Sequence, residues 1–374
     1  MAENVEGAVR RKSGPLRIAM IAPPYLAVPP IGYGGIEQVV SVLTEGLVTA
    51  GHEVVLFGAP GSVTSARLIS PLPAPITLGD PAGISDEIYF ITAAYHEAQS
   101  FDVIHDHTGM GPSLGSMLSW PPVVHTLHGP WTTQSRRMAR LLSGRVNYVA
   151  ISNSQREHNR QIRYAGVVYN GINVAAHPFR EAKEDFLVFV GRINPEKRPE
   201  TAIEIARKAG LPLVMVIKCS EPFERDYFNK VVAPLLGTDI TILEEPAQEV
   251  KVDIVSRARA LLFPIDWPEP FGLVMTEAMA CGTPVIARAL GSVPEVIRNG
   301  ITGYCCNSIE EMIDAVSSVA SLNPTDCRED VKRRFSASVM VANYEKVYRS
   351  ALARTQRREL VAQSAELFLL NAAS

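Results

Sequence analysis

The sequence lacks a long apolar run and a large excess of either charge. No stretch approaches the roughly 18 consecutive apolar residues that a membrane-spanning helix needs. The 374 residues carry a formal net charge of −3, so neither nucleic acid nor an anionic membrane is indicated as the main partner. A hydrophobic share of 47% is that of a globular protein. Electrostatic binding as the whole function is therefore disfavoured.

Cysteine is also scarce. The five cysteines are odd in number, and none forms the C-x-x-C pair that is typical of zinc or redox sites. We therefore expect a reduced, cytoplasmic setting. Residues 1–14 are polar and are not followed by the apolar stretch of a signal peptide, so we expect them to be a disordered leader.

Short apolar runs alternate with segments of helical periodicity along the rest of the chain. This alternation is typical of βαβ units around parallel sheets that are buried on both faces. The length favours two domains, and the turn at Asn170-Gly171 followed by a polar segment marks the boundary. We predict an α/β fold with two Rossmann-like domains, one over residues 15–176 and the other over residues 177–334.

The pattern also predicts individual elements. In the first half the predicted strands are 16–22, 53–57, 103–107, 123–127 and 148–152, with a helix over 35–50. Residues 59–86 are rich in proline and are expected to be irregular. In the second half the predicted strands are 186–190, 212–218, 240–244, 260–264 and 284–287, and the predicted helices are 199–209, 223–236, 249–257, 272–280 and 308–319. Because open α/β sheets bind ligands at the carboxyl ends of their strands, we expect the chemistry in the loops that follow strands.

The most informative segment is the loop and helix that contain Glu269, Gly272 and Glu277. The start of a helix near Gly272 offers unpaired backbone N–H groups and a positive dipole end, which together suit a diphosphate. A carboxylate beside an anion site is useful if it accepts hydrogen bonds from neutral hydroxyls, which a sugar and a ribose supply. The order of carboxylate, anion site and carboxylate matches a nucleotide-sugar. The alternative is a loop glutamate that favours the helix dipole and a solvated helical glutamate.

Two basic residues follow the first strand of the second half. Arg192 and Lys197 could supply charge-assisted hydrogen bonds to a diphosphate, at roughly 1.5 to 3 kcal/mol each. The alternative is a solvated basic turn before a helix.

The first half contributes a glycine loop and a histidine. Gly34 and Gly35 follow the first strand, but Glu37 stands where a dinucleotide fingerprint has its third glycine. The loop either closes over a phosphate from across a cleft or is a plain βα turn. His128 ends a strand that faces the cleft, and its alternative role is that of a buried, hydrogen-bonded histidine. The histidine pairs at 105–107 and 125–128 lack a convincing third ligand, so no metal site is expected.

As a set, these residues resemble the retaining glycosyltransferases of family 4, which have the GT-B fold of two Rossmann-like domains facing across a cleft. The resemblance runs from about residue 16 to residue 352. It implies that residues 15–176 form the acceptor domain and residues 177–334 the nucleotide-sugar domain, and that residues 335–374 form helices, the first of which crosses back onto the N-terminal domain. It implies that Glu269 contacts the donor sugar, that Glu277 contacts the ribose and that His128 lies near the sugar. The residues that it implies for catalysis are His128, Glu269, Arg192 and Lys197. Those that it implies for donor binding are Gly34, Gly35, Arg192, Lys197, Glu269, Phe271, Gly272, Leu273, Val274 and Glu277.

The resemblance implies a reaction as well. A hexosyl-type group passes from a nucleotide diphosphate sugar to an acceptor hydroxyl with retention, without a metal or another cofactor; a UDP-sugar is favoured as donor and a GDP-sugar comes next. The acceptor is left open as a small molecule, a glycan or a lipid. The basic segment around Arg136, Arg137 and Arg140 is interpreted as a solvated helix face in preference to a peripheral membrane contact. The chain departs from the family at Lys218-Cys219-Ser220-Glu221, where many relatives have a glycine-rich turn.

Two other interpretations stay open. The chain could be a GT-B nucleotide-sugar epimerase or phosphorylase, although a phosphorylase needs a cofactor-bearing lysine and a much longer chain. It could also be a catalytically silent protein that binds a nucleotide-sugar. Product analysis with donor alone would reveal an epimerase, and slow donor hydrolysis without an acceptor would rule out the silent binder.

Overall fold

The computed structural model describes residues 14–77, 80–118 and 120–372. The leader predicted for residues 1–14 lies outside this described part, except for Gly14. Within the described part, no helix has both the length and the apolar character needed to cross a membrane.

The first half of the chain forms a seven-stranded sheet. Its strands are β1 (Arg17–Ile21), β2 (Glu53–Phe57), β3 (Arg67–Ile69), β4 (Val103–Asp106), β5 (Val123–Leu127), β6 (Asn147–Ala150) and β7 (Tyr164–Val167). They are all parallel and lie in the order β3-β2-β1-β4-β5-β6-β7. The helices of this half are α1 (Gly35–Thr49), α2 (Gly83–Glu97), α3 (Gly111–Gly115), α4 (Thr133–Leu142) and α5 (Asn153–Glu157).

The second half forms a six-stranded sheet. Its strands are β8 (Glu184–Arg192), β9 (Leu213–Lys218), β10 (Ile240–Glu244), β11 (Ala258–Phe263), β12 (Val285–Arg288) and β13 (Gly303–Cys306). They are parallel in the order β10-β9-β8-β11-β12-β13, which is the strand order of a Rossmann fold. The helices are α6 (Pro199–Lys208), α7 (Pro222–Tyr227), α8 (Gln248–Arg257), α9 (Leu273–Ala280), α10 (Val293–Val296), α11 (Ile309–Ser318), α12 (Pro324–Arg334) and α13 (Ala337–Ala372).

Both sheets are buried on both faces, as their unbroken apolar strands predict. In β1, Ile18 and Met20 point into one core and Ala19 and Ile21 into the other, because successive side chains of a strand face opposite ways. The strands of the second sheet likewise divide their side chains between two cores. The predicted fold class, two doubly wound parallel-sheet domains, is therefore confirmed.

The long helix α13 follows the second sheet but packs on the first. Its tyrosines Tyr344 and Tyr348 are fully buried in the core that α1 shares with β1. The Tyr348 hydroxyl lies 2.7 Å from His105 Nδ1, and the Tyr344 hydroxyl lies 2.9 Å from Thr126 Oγ1. These contacts tie the end of the chain to the first sheet, while the domain limits at residues 176 and 334 stay predictions.

The structure differs from the sequence-based expectation in several segments. Strands β7 and β13 were not predicted, and two further segments differ as follows. The stretch 59–86, which was expected to be irregular, holds the short strand β3 and the start of α2. The sequence did not predict β3 because a three-residue strand among prolines shows no detectable periodicity. The helix predicted over 223–236 is α7 followed by a π-helical turn at Phe228–Val232 and a 3-10 turn at Ala233–Leu235. Pro234 has no N–H to donate, which ends regular helix there.

Candidate active site

A cavity of about 1190 Å³ lies between the carboxyl ends of the two sheets. Loops that follow β1, β4 and β5 line it from the first sheet, and loops that follow β8 through β11 line it from the second. Such a place, outside the carboxyl ends of parallel strands, is where open α/β sheets bind ligands. The structure brings every site residue predicted from the sequence to this cavity, namely Gly34, Gly35, His128, Arg192, Lys197, Glu269, Phe271, Gly272, Leu273, Val274 and Glu277.

The helix α9 begins directly after Gly272, at the wall of the cavity. Gly272 has a φ of +78°, and a Cβ there would stand 2.6 Å from Met275 Cε. The left-handed backbone therefore favours glycine, while a Cβ would displace only the flexible end of the Met275 side chain. The turn aims the first N–H groups of α9 at the cavity, where they and the helix dipole favour an anion.

Lys197 and Glu269 form an ion pair in this wall. Lys197 Nζ donates to Glu269 Oε2, and Trp267 Nε1 donates to the same oxygen over 3.1 Å. The Lys197 ammonium also lies 5.0 Å from the centroid of the Trp267 ring, within the range of a cation–π contact. The side chains of the pair are largely buried, so the predicted diphosphate cation and the predicted sugar carboxylate neutralise each other.

Glu277 has a lysine partner of its own. Lys251 Nζ, from α8, donates to Glu277 Oε2 over 3.1 Å. Burial alone would raise the pKa of Glu277, but Lys251 and His177 together bring that pKa below its ordinary value. Sequence reasoning missed Lys251, because a lysine on a helix with a modest apolar face gives no local sign of a buried partner.

Arg192 points toward a second buried carboxylate. Its Nε lies 3.8 Å from Oε1 of the fully buried Glu224. The other Glu224 oxygen accepts from Lys218 Nζ over 3.2 Å and from the backbone N–H groups of Ser220 and Glu221 over 3.1 Å each. The segment that departs from the family's glycine-rich turn is thus organised by Glu224, a residue that the sequence did not single out.

The loop after β12 supports Glu269 from behind. Gly291 has a φ of +61°, and a Cβ there would lie 2.3 Å from the Glu269 nitrogen and 2.4 Å from its carbonyl oxygen. Ser292 donates its N–H to the Glu269 carbonyl over 2.9 Å and its hydroxyl to the Phe271 carbonyl over 2.8 Å. The conformation of the Glu269 loop therefore depends on Gly291 and Ser292, which sequence reasoning also missed.

The first sheet contributes a group of histidines. His128 Nε2 and His107 Nδ1 share a hydrogen bond of 2.8 Å. Burial lowers the pKa of His128 to about 4 and, with a smaller effect of His128, that of His125 to about 3. These rings are uncharged near neutral pH. Among the residues that the structure describes, no group of three His, Cys, Asp or Glu side chains is arranged to hold a metal ion.

The glycine loop faces α9 from the opposite side of the cavity. Gly34 immediately precedes α1, and a Cβ there would stand 2.7 Å from Pro30 Cβ. A Cβ on Gly35 would meet Leu273 Cδ1, in the first residue of α9, at 3.8 Å. The glycine loop therefore lies close to the start of α9.

Two protein-family models match adjacent parts of the chain. Glycosyltransferase Family 4 matches residues 33–176, and Glycosyl transferases group 1 matches residues 175–334. A D-inositol 3-phosphate glycosyltransferase from Thermobispora bispora is 28% identical over 322 residues, which cover 71% of this chain and 74% of that protein. The protein of the same name from Mycolicibacterium smegmatis is 28% identical over 276 residues, so the match spans 62% of its length.

Solved structures share the architecture. AviGT4, a glycosyltransferase involved in avilamycin A biosynthesis, has a TM-score of 0.69 and 27% identity over 91% of this chain and 98% of its own. Anabaena HepE, solved in complex with UDP-glucose, has a TM-score of 0.68 at 18% identity over 90% of this chain and 100% of its own, which shows the fold alone. The two family models, the two facing parallel sheets and these likenesses agree. The chain belongs to the family 4 glycosyltransferases and has their GT-B fold.

Proposed function

We propose that the protein transfers a hexosyl-type group from a UDP-sugar to an acceptor hydroxyl, with retention at the anomeric carbon and without a metal ion. The observation that carries the proposal is the convergence of Arg192, Lys197 and the start of α9 with Glu269 and Glu277 in one cavity. A UDP-sugar is favoured over a GDP-sugar, as the family resemblance implies; HepE, which shares the fold, was solved with UDP-glucose.

The donor's diphosphate lies against the two cations and the first turn of α9 in this proposal. A diphosphate needs more positive charge than a helix end provides, and Arg192 and Lys197 supply it through charge-assisted hydrogen bonds. Glu277, four residues after the first residue of α9, stands about 6 Å along the helix axis and accepts from the ribose. The backbone of residues 271–274 contacts the sugar and phosphate, and Gly34 and Gly35 close over them from the first sheet.

Donor binding then exchanges one ion pair for two contacts. Lys197 leaves Glu269 for the diphosphate, and the released carboxylate accepts a hydroxyl of the donor sugar. The ion pair keeps both side chains oriented and balances their opposite charges before the donor arrives. His128 is uncharged near neutral pH and donates or accepts a hydrogen bond beside the transferred sugar without repelling the cationic groups.

The chemical step breaks the bond between the anomeric carbon and the diphosphate oxygen. The acceptor oxygen forms its bond to that carbon on the same face, and its proton passes to the leaving phosphate oxygen. Charge grows on the diphosphate during this step, so Arg192, Lys197 and the α9 dipole stabilise the transition state more than the ground state. Holding both substrates in one cavity supplies the rest of the acceleration. We place the reaction in the cytoplasm, since the five cysteines are free thiols.

The test combines donor binding with product stereochemistry. UDP, GDP and their sugars are titrated by calorimetry, and the glycosidic product of the bound donor is analysed by NMR, with and without EDTA. We expect UDP to bind more tightly than GDP, an anomeric configuration equal to that of the donor, and no loss of rate in EDTA. A product of inverted configuration contradicts the proposed retention, and a rate that requires added Mg²⁺ contradicts the proposed independence of a metal ion. Conversion of the donor sugar to an epimer without acceptor would support the epimerase interpretation instead.

A further inference from the structure

We propose that the first-sheet wall of the cavity selects an uncharged acceptor that carries hydroxyls and an apolar portion, and rejects phosphorylated acceptors. This inference rests on the proposed function and names the acceptor class for the same site. Two relatives are named for a phosphorylated compound, D-inositol 3-phosphate, so phosphorylated and uncharged acceptors can be compared directly.

Charge is distributed unequally between the two walls. The lysines and arginines that line the cavity all belong to the second half of the chain, and they are Arg192, Lys197, Lys218 and Lys251. The described residues that line it from the first 176 positions include Glu37 and Glu87 but no lysine or arginine. Both carboxylates are buried side chains. An anionic acceptor therefore meets negative charge on the wall where the acceptor binds.

The histidines of the first wall do not change this balance. His107, His125 and His128 also line the cavity, and burial lowers the pKa of each. They carry no positive charge near neutral pH. The start of α1 also reaches the cavity, but the buried Glu37 stands in its first turn and opposes a second anion there.

Glu87 is arranged to accept a hydrogen bond from a hydroxyl. Its Oε2 accepts from the Tyr25 hydroxyl over 2.8 Å. Burial, together with this hydrogen bond, raises the pKa of Tyr25 to about 12, so the phenol stays protonated and holds the carboxylate in place. Within the described part of the chain, Glu87 Oε1 accepts no hydrogen bond, and the backbone of Gly109 passes beside it. A carboxylate fixed at one oxygen leaves the other for a donor hydroxyl of the acceptor.

Apolar side chains flank this polar pair. Leu26, next to Tyr25, and Met110, next to Gly109, both line the cavity and are 40% and 41% exposed. Partly exposed large apolar side chains at a cavity mark surface that a ligand can cover. An acceptor with a sugar-like end at Glu87 and an apolar portion over Leu26 and Met110 fits both features.

The second wall offers no spare cation for a phosphorylated acceptor. Lys197 pairs with Glu269, Lys251 pairs with Glu277, and Lys218 pairs with Glu224. Arg192 and Lys197 are the groups proposed to hold the donor diphosphate. A phosphate on the acceptor would thus add a second anion beside the first without adding a cation.

The experiment compares matched acceptors with the bound UDP-sugar as donor. Octyl glucoside, inositol and D-inositol 3-phosphate are each assayed for kcat/KM with the wild type. We expect octyl glucoside to be used best and inositol 3-phosphate to be worse than inositol by about tenfold or more, because like charges placed together are costly. The variant Glu87→Lys should reverse the preference between the last two, mainly through KM for the acceptor, with UDP affinity unchanged.

Two further variants keep the result interpretable. Glu87→Gln keeps the shape of the side chain but removes its charge. It should reduce the preference for inositol over D-inositol 3-phosphate, and it tests the inference even if Glu87→Lys does not fold. Asp86→Asn removes an exposed charge from the adjacent position of α2 and should leave the preference unchanged. If UDP-sugars bind but inositol 3-phosphate is the better acceptor for the wild type, the inference on the acceptor is wrong and the transferase function stands. If no UDP- or GDP-sugar binds at all, the proposed function fails and this inference fails with it.

Discussion

Lys251 of α8 donates to Glu277 of α9 over 3.1 Å in the wall of the cavity. The pair joins two helices, and its residues are 26 positions apart in the sequence. Both side chains are mostly buried, at 20% and 14% exposed. The lysine therefore does more than screen a surface charge, because it makes an ionised carboxylate tolerable at a buried position.

We expect Lys251→Met to lower the free energy of unfolding by about 1 to 3 kcal/mol near neutral pH, since a buried carboxylate loses its partner. In the wild type the pKa of Glu277 is lowered, so its stabilisation is present above the unfolded pKa of about 4.3 and is lost as the pH falls through the folded value. In the variant, Lys251 no longer offsets the effect of burial on the pKa of Glu277, so this carboxyl titrates at a higher pH. The difference between the two proteins should therefore shrink in acid.

Urea unfolding near pH 7 and near pH 4 measures this difference. Lys208→Met is the matched control, since Lys208 pairs with Glu204 over 2.8 Å on an exposed face of α6. We expect this control to change stability little at either pH, because exposed pairs contribute little. An equal loss for Lys251→Met at both pH values would show that Glu277 does not depend on this lysine.

A second prediction concerns the pair of Lys197 and Glu269. Lys197→Met should weaken UDP binding by about 10- to 100-fold, because a charge-assisted hydrogen bond contributes roughly 1.5 to 3 kcal/mol. It should also lower stability, since Glu269 is then buried without its cation. Adding Glu269→Gln to this variant should restore most of the stability but none of the affinity.

A double-mutant cycle measures these effects. It uses calorimetric UDP titration and thermal unfolding of the wild type, the two single variants and the double variant. Recovery of UDP affinity in the double variant would mean that Lys197 acts only through Glu269, which contradicts its contact with the diphosphate. Glu269→Gln alone should reduce transfer without weakening UDP binding, because Lys197 then has no carboxylate to leave when it turns to the diphosphate.

The donor side is predictable from the sequence because its parts are close along the chain. Glu269, Gly272 and Glu277 lie on one loop and one helix, so their spacing converts directly into positions. The same holds for Arg192 and Lys197, which follow one strand. Their roles toward the donor stay predictions until the binding experiments are made.

The partners of these residues are not predictable in the same way. Lys251 and Glu224 come from other helices, and their contacts depend on how those helices pack on the second sheet. A lysine or a glutamate on a helix has the same local pattern whether its partner is water or a buried charge. Short strands are missed for a related reason, since the three residues of β3 cannot show an alternation.

A third prediction concerns acid stability. His125 is buried, its Nδ1 has no hydrogen-bond partner among the described residues, and its pKa is lowered to about 3, chiefly by burial. In the unfolded chain His125 is protonated below about pH 6.5, whereas in the folded chain it stays neutral down to its lowered pKa. Its effect on stability is therefore absent above about pH 6.5, and stability falls as the pH drops from there toward the folded pKa. His125→Leu should reduce this slope by about 1.4 kcal/mol per pH unit around pH 5.

Urea unfolding at several pH values between about 4.5 and 7 gives the slope. The exposed His96→Leu on α2 serves as control and should leave the slope unchanged. A slope for His125→Leu equal to that of the wild type would show that this histidine takes up its proton in the folded protein.

The fourth prediction compares two glycines of similar conformation, Gly291 and Gly300. The comparison separates the effect of backbone strain from the effect of displacing Glu269. Gly291 and Gly300 have φ values of +61° and +74°. A Cβ on Gly291 would collide with the backbone of Glu269, whereas a Cβ on Gly300 has nothing within 4 Å. Gly300→Ala should therefore lower the free energy of unfolding only by the left-handed strain, about 1 to 2 kcal/mol, and leave transfer intact.

Gly291→Ala should lower the free energy of unfolding further and reduce kcat on the order of 100-fold. Glu269 must shift in this variant, and a misplacement of about 1 Å can reduce the rate of a reaction by that factor. Thermal unfolding and initial rates of the two variants measure both effects, and equal rates in the two alanine variants would show that the loop behind Glu269 does not position it.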